Sequence, residues 1–260
     1  MKKKISLIFL GRGKIASNCF NILNQSFFKN YFEIKAIVSN KQFLLNNKKY
    51  ISKSTVQILN NLNNENKIFK IIKQKRINLL ISVLHPWILS DKILKEINYK
   101  AFNLHNGDLP KYKGWNTTAH TIINDEKNIP TLIHRMVKNV DEGSIALQKK
   151  IKINKNMSAK KLYSKIIDAA SLNFNNFLIK LIKNKINFTK ISNGGKFYKK
   201  KELELLKKLK IKLTKKQYKI VLGSYMPPYE PAYLKHDKKK IYLLPEISFK
   251  KIIIKQKKIN

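Results

Sequence analysis

The chain has 260 residues, 43% of them hydrophobic, and sets 55 Lys and Arg against 15 Asp and Glu for a formal net charge of +40. That length buries one substantial core and a small annex. The single cysteine, Cys19, excludes an intrachain disulfide and a cysteine-based metal cluster, and apolar runs such as 77–84 fall short of the roughly 18 residues that span a bilayer.

Lys4 to Leu10 reads as a first strand, and Gly11 to Gly13 opens a helix to about Asn24 with Ile15, Cys19, Ile22 and Leu23 on its apolar face. Phe32 to Val38 reads as a second strand. The polar, Asn-rich stretch from Asn40 to Asn66 holds an expected helix around Ser54 to Leu62. Ile77 to Leu84 is a continuous apolar run closed by His85-Pro86, as for a strand buried on both faces. Tyr99 to Leu104 is a further short buried strand, and a helix over Thr117 to Asn124 follows it. Pro130 to Val137 and Ile145 to Ile153 read as strands flanking a loop with Asp141, and Ser158 caps a long helix to about Lys183. After Asn193-Gly-Gly come Phe197-Tyr198, a lysine-rich helix from Glu202, β-like pieces near Tyr218 to Ser224 and Ile241 to Leu244, and a loosely held tail, I-I-I-K-Q-K-K-I-N. Strands alternating with helices predict an α/β fold with a doubly wound, mostly parallel sheet over residues 1–190 and a small β-containing C-terminal extension over 191–260.

The stretch F-N-L-H-N-G-D-L-P-K-Y-K-G, from Phe102 to Gly114, carries the chemistry, together with V-D-E-G around Asp141. Side chains two apart on a strand share a face, so Asn103 and His105 point together beyond the strand's carboxyl end, where open α/β sheets bind ligands. Asn106-Gly107 and Leu109-Pro110 then force a turn over the site. Amide, imidazole and carboxylate suit transfer of a one-carbon acyl group to an amine. The amide donor holds a tetrahedral oxyanion, the imidazole passes protons at neutral pH, and the carboxylate takes the amine's proton or orients the imidazole.

These residues resemble the signature of the folate-dependent formyltransferases, the family of methionyl-tRNA formyltransferase, glycinamide ribonucleotide formyltransferase and the sugar N-formyltransferases. L-G-R-G-K-I-A after the first strand, S-V-L-H-P-W-I-L at 82–89 and M-P-P-Y-E-P-A-Y at 226–233 extend the likeness, the last two toward the sugar N-formyltransferase branch. The resemblance implies a Rossmann-like formyltransferase fold, catalytic roles for Asn103, His105 and Asp141, and 10-formyltetrahydrofolate as cosubstrate with no metal. It places the folate pterin against Pro86, Trp87, Ile88 and Leu89, with Val140 beside it, and an acceptor phosphate near Arg12 and Lys14. The acceptor it implies is an amino sugar on a nucleotide diphosphate. Methionyl-tRNA is the alternative acceptor, although little chain after Gly195 remains for the larger C-terminal β-barrel of that branch.

Other features stay closer to plain structure. Gly11-Arg12-Gly13 does not complete G-x-G-x-x-G because Ala16 stands where the third glycine belongs. His120 and His134 lack partners at metal-ligand spacing and read as structural. Tyr225 and Tyr229, interleaved with prolines, either staple the tail to the domain or grip a nucleotide base. The charge has two explanations as well. A basic chain ordinarily implies a polyanion partner, and an RNA-binding protein on a formyltransferase scaffold is a reading of another class. Only Arg12, Arg76 and Arg135 are arginine, however, and lysine with abundant Asn and Ile is what an AT-rich coding bias produces. Nucleic-acid binders favour arginine for bidentate contacts, so compositional drift accounts better for the charge. Met1-Lys-Lys-Lys runs straight into a strand with no cleavage-site pattern, and a reduced, cytoplasmic protein without membrane contact is expected, with a homodimer left open.

Overall fold

The computed structural model describes residues 3–59, 64–210, 214–236, 239–245 and 253–256. The elements begin with β1 (Ile5–Gly11), α1 (Gly13–Leu23), α2 (Ser26–Lys29), β2 (Phe32–Ser39), α3 (Lys41–Asn46), β3 (Val56–Leu59) and α4 (Glu65–Gln74). Next come β4 (Leu79–Val83), α5 (Asp91–Glu96), β5 (Ala101–Asn106), β6 (Tyr112–Gly114), α6 (Thr117–Ile123), β7 (Asn128–Arg135), β8 (Ile145–Lys152) and α7 (Ala159–Ile182). The remainder is β9 (Lys196–Tyr198), α8 (Lys200–Leu206), β10 (Lys208–Leu209), α9 (Lys215–Ser224), β11 (Tyr233–His236), β12 (Lys239–Leu244) and β13 (Ile253–Gln256).

Seven strands form one sheet in the order β3-β2-β1-β4-β5-β7-β8. The pairs β1–β2, β2–β3, β1–β4 and β4–β5 are parallel. The chain winds outward from β1 to β3 and then returns to β4, so the order reverses between β1 and β4. The carboxyl ends of strands diverge at such a point and leave a crevice for a ligand. The backbone N–H of Met136 donates to the carbonyl of Ala101 at 2.8 Å, which sets the end of β7 beside the beginning of β5 in antiparallel fashion.

Alternation along the strands gives the sheet two apolar faces. On one, Ile8, Leu10, Leu80 and Ala101 pack with Ile68 and Ile72 of α4 and Ile93 of α5. On the other, Phe9 meets Phe20 of α1 at 5.3 Å between ring centroids, and Phe102 meets Phe177 of α7 at 5.0 Å. Full burial of one such side chain stabilises the fold by about 1.5–3 kcal/mol. A strand sequence apolar on both sides therefore specifies helices on both faces, which is the doubly wound arrangement.

The chain divides into two compact units. The first comprises Met1–His105, Thr131–Lys149 and Ile167–Ser192; the second comprises Asn106–Pro130, Lys150–Ile166 and Asn193–Asn260. Within the second, Ala119 and Ile123 of α6 pack with Ile220 and Val221 of α9 and with Leu234 and Leu243 of a four-stranded sheet ordered β10-β11-β12-β13.

Three expectations need correction. The helix expected at Ser54 to Leu62 is instead strand β3 over Val56–Leu59, paired with β2, while residues 60–62 lie outside the described residues. Val56 and Ile58 are β-branched at a spacing of two, and the edge of a parallel sheet accepts so short a strand. The β-like piece at Tyr218 to Ser224 is helix α9, because Thr214 accepts from the Gln217 N–H and the Gln217 side chain returns to the Thr214 N–H. That capping box nucleates a helix where the apolar run alone is ambiguous. Finally, Ile253–Gln256 of the expected loose tail pairs antiparallel with β12; residues 252 and 257–260 lie outside the described residues.

Candidate active site

Parallel pairing of β4 and β5 puts Ser82 beside Asn103. The Ser82 hydroxyl donates to Asn103 Oδ1 at 2.9 Å, and the other end of the amide, Nδ2, lies 3.2 Å from His134 Nε2 on β7. His134 Nδ1 lies 2.9 Å from the carbonyl oxygen of Arg135. A carbonyl only accepts, so Nδ1 carries a proton, an assignment made from the hydrogen-bond partner, and Nε2 faces the Asn103 amide. Asn103 is thus held at both ends.

Asp141 arrives on the loop between β7 and β8 with φ of 57°, a left-handed conformation that Asp adopts more readily than most residues. Its carboxylate is buried, with Oδ1 at 3.3 Å from His134 Nε2 and Oδ2 at 3.7 Å from His105 Nδ1. The longer contact is electrostatic rather than a hydrogen bond. His105 and His134 are buried with their rings 6.3 Å apart and nearly perpendicular. The structure brings Asn103, His105 and Asp141 together around His134. Spacing in one strand gives no clue to a partner across an antiparallel register, so His134 was out of reach of the local pattern.

The glycine of V-D-E-G has a steric origin. A β-carbon at Gly143 would stand 1.9 Å from the Arg135 carbonyl oxygen and 2.8 Å from its carbon. Gly143→Ala must therefore push the Asp141 loop off β7. We expect a loss of stability on the order of 2 kcal/mol and a drop in turnover of about tenfold or more. Denaturant unfolding and steady-state rates check this, and a variant unchanged in both would show that the loop needs no such approach.

The chain turns sharply after β4, where Leu84 has φ of 53°. His85 follows with its Nδ1 buried and without a hydrogen-bond partner, and its pKa is lowered to about 4, chiefly by burial and secondarily by the charge of Arg12. It is a neutral imidazole at pH 7. Pro86 is half-buried, while Trp87 and Ile88 are 37% and 69% exposed. Leu89 is buried in the core, so it offers a ligand only its backbone. Val140 is half-buried next to Asp141. At the β1 end, a β-carbon on Gly11 would meet the Val83 carbonyl oxygen at 2.7 Å, which explains a glycine where β1 and β4 finish together. Arg12 is the N-cap residue of α1, and it and Lys14 are exposed.

Tyr225 and Tyr229 belong to the second unit, Tyr225 half-buried at the end of α9 and Tyr229 67% exposed. His120, in the same unit, stacks on Tyr198 at 4.0 Å, and burial lowers its pKa to about 4. Among the described residues no group of three or more His, Cys, Asp or Glu is placed to hold a metal ion, and no helix is long and apolar enough to cross a membrane.

The chain is similar to several known proteins. The chain is 39% identical over 127 residues to the bifunctional polymyxin resistance protein ArnA of Wigglesworthia glossinidia brevipalpis, covering 49% of this chain and 19% of that protein. It is 29% identical over 171 residues to the GDP-perosamine N-formyltransferase of Brucella melitensis, covering 65% of each. The chain thus spans less than two thirds of either relative. In fold it resembles the N-formyltransferase of Helicobacter canadensis solved with folinic acid and dTDP-3-aminofucose, with a TM-score of 0.70 at 22% identity over 93% of this chain and 89% of that one. Residues 3–178, which include Asn103, His105, His134 and Asp141, match the formyl transferase family, and the chain belongs to it.

Proposed function

We propose that this chain transfers a formyl group from 10-formyltetrahydrofolate to the primary amine of a nucleotide-linked amino sugar. The convergence of Asn103, His105 and Asp141 at the end of β5, in a member of the formyl transferase family, carries the reading. The sugar acceptor is supported by the Brucella relative, named for GDP-perosamine, and by the Helicobacter protein of the same fold, crystallised with a folate and an amino-sugar nucleotide. We read 1–190 as the catalytic domain, 191–260 as a small extension and the protein as cytoplasmic.

The residues after β4 fit a pterin. Exposed Trp87 and Ile88 offer an apolar surface, and the buried, unpartnered Nδ1 of His85 is a polar group awaiting a ligand. Backbone groups of Pro86, Trp87, Ile88 and Leu89, with Val140, would hold the folate, which supplies the formyl carbon. The chain's own side chains do the rest. Asn103 gives one amide N–H to His134 and has its second for the oxygen that becomes negative when the amine adds, a donor worth about 3–4 kcal/mol at the transition state. Asp141 takes the proton that the amine must lose, and His105 delivers one to the departing folate nitrogen, so the proton count balances. Arg12 and Lys14, exposed at the start of α1, engage the diphosphate.

The charge of +40 favours a second reading, methionyl-tRNA as acceptor, or RNA binding alone. Salt separates them. An RNA held through six or more lysine-phosphate contacts releases counterions and loses about a thousandfold in affinity between roughly 50 and 200 mM salt. A nucleotide sugar presents one diphosphate, and screening weakens it only mildly. Formyl transfer to members of a panel of nucleotide-linked amino sugars, with mild salt dependence, is expected. Efficient formylation of methionyl-tRNA with no sugar accepted would replace the sugar reading.

A further inference from the structure

Asn103 and His134 each have a neighbour that alternation turns to the opposite face of the sheet, Phe102 on β5 and Arg135 on β7. The registers agree: Asn103 lies beside Ser82, whereas Phe102 lies beside Ile81, on the same side as Leu79 and Leu7. On that far face is a cavity of about 320 Å³, lined among others by Leu79, Lys100, Phe102, Arg135, Leu181 and Phe188. All of these residues belong to the first unit. The cavity reaches the lower end of the roughly 300–1,000 Å³ range of small-molecule sites.

Its chemistry is two-sided. Phe102 and Phe188 stack at 6.3 Å with an interplanar angle of 11°, and with Leu79 and Leu181 they make an apolar floor. The Arg135 guanidinium lies 4.3 Å from the Phe188 ring centroid, so the ring fixes one of the two cations at the rim; Lys100 is the other. Among the described residues no acidic side chain lines the cavity and neither cation has a carboxylate partner. A neutral apolar ligand would fill the floor and leave both charges unanswered. An inorganic anion would answer the charges and leave the floor wet.

We propose that this cavity binds an amphipathic carboxylate, its hydrocarbon tail against Phe102 and Phe188 and its head group between Lys100 and Arg135. The planar guanidinium receives a carboxylate through two parallel hydrogen bonds. The site is separate from the Asn103 constellation, since the sheet lies between them, and it holds whether or not formyl transfer to a sugar is observed. Its occupant touches the side chains next to Asn103 and His134 on their own strands.

The test is titration of the full chain with sodium octanoate below its micelle concentration, followed by calorimetry and by backbone amide NMR, with octan-1-ol as the uncharged counterpart. Saturable binding of one octanoate per chain is expected, with amide shifts concentrated at 100–103, 134–136 and 181–188. Octanol should bind about fivefold or more weakly, the worth of a partly exposed charge pair. Lys100→Glu, at an exposed position, should weaken octanoate about tenfold and leave octanol unchanged. Equal affinity for the two probes, absence of saturation, shifts outside these segments, or indifference to Lys100→Glu would each overturn the assignment.

Discussion

His105→Ala and Asn103→Ala should each lower turnover by about two orders of magnitude or more while the protein remains folded. The two losses arise differently. Asn103 is half-buried, anchored by Ser82 at one end and His134 at the other, so its amide is oriented before any substrate arrives. A preorganised donor aimed at a developing oxyanion is worth about 3–4 kcal/mol at the transition state, and little of that is felt by the ground-state carbonyl. The loss should therefore fall on kcat. His105 contributes by moving a proton, an effect of about 10²–10⁴-fold. Because the two act on one transition state, the double variant should lose less than the product of the single losses. Thermal unfolding of each variant guards against a trivial explanation. Turnover near that of the parent in both would end the mechanism, whatever the family relationship.

How much of this was legible in the sequence depended on whether the controlling contact was local. The buried strand at 79–83 declares itself as a continuous apolar run, and a period of two on β5 brings Asn103 and His105 to one face without any knowledge of the fold. Asp141 was recognisable only through a resemblance of motifs, since no spacing rule links residues of different loops. His134 was missed because its place beside Asn103 follows from the antiparallel approach of β7 to β5, a register that neither strand states alone. Packing within the second compact unit is equally non-local. Asn106–Pro130 and Lys150–Ile166 join the chain from Asn193 onward, and Ala119 meets Val221 across a separation that no local pattern encodes. The apolar run of α9 suits strand or helix equally, and the Thr214 capping box is the local signal that decides for helix.

Asp141→Asn should abolish most turnover while leaving folate affinity within about threefold of the parent. The substitution is conservative in every respect but charge. Asn tolerates the left-handed backbone that Asp141 adopts at φ 57°, fills the same volume, and still accepts a hydrogen bond through its oxygen. It cannot take a proton from an amine. It also removes the only carboxylate placed against both imidazoles among the described residues, 3.7 Å from His105 Nδ1 and 3.3 Å from His134 Nε2, so the negative charge beside both rings disappears with it. Both effects act after the amine has bound, which assigns the loss to kcat rather than to KM. Equilibrium binding of a non-reactive folate measures the second half of the expectation. A variant that keeps its turnover but binds folate weakly would make Asp141 a recognition group and return the amine's proton to another acceptor. Loss of both together, with an unfolding midpoint lowered as in Gly143→Ala, would instead trace the defect to the loop that carries the carboxylate.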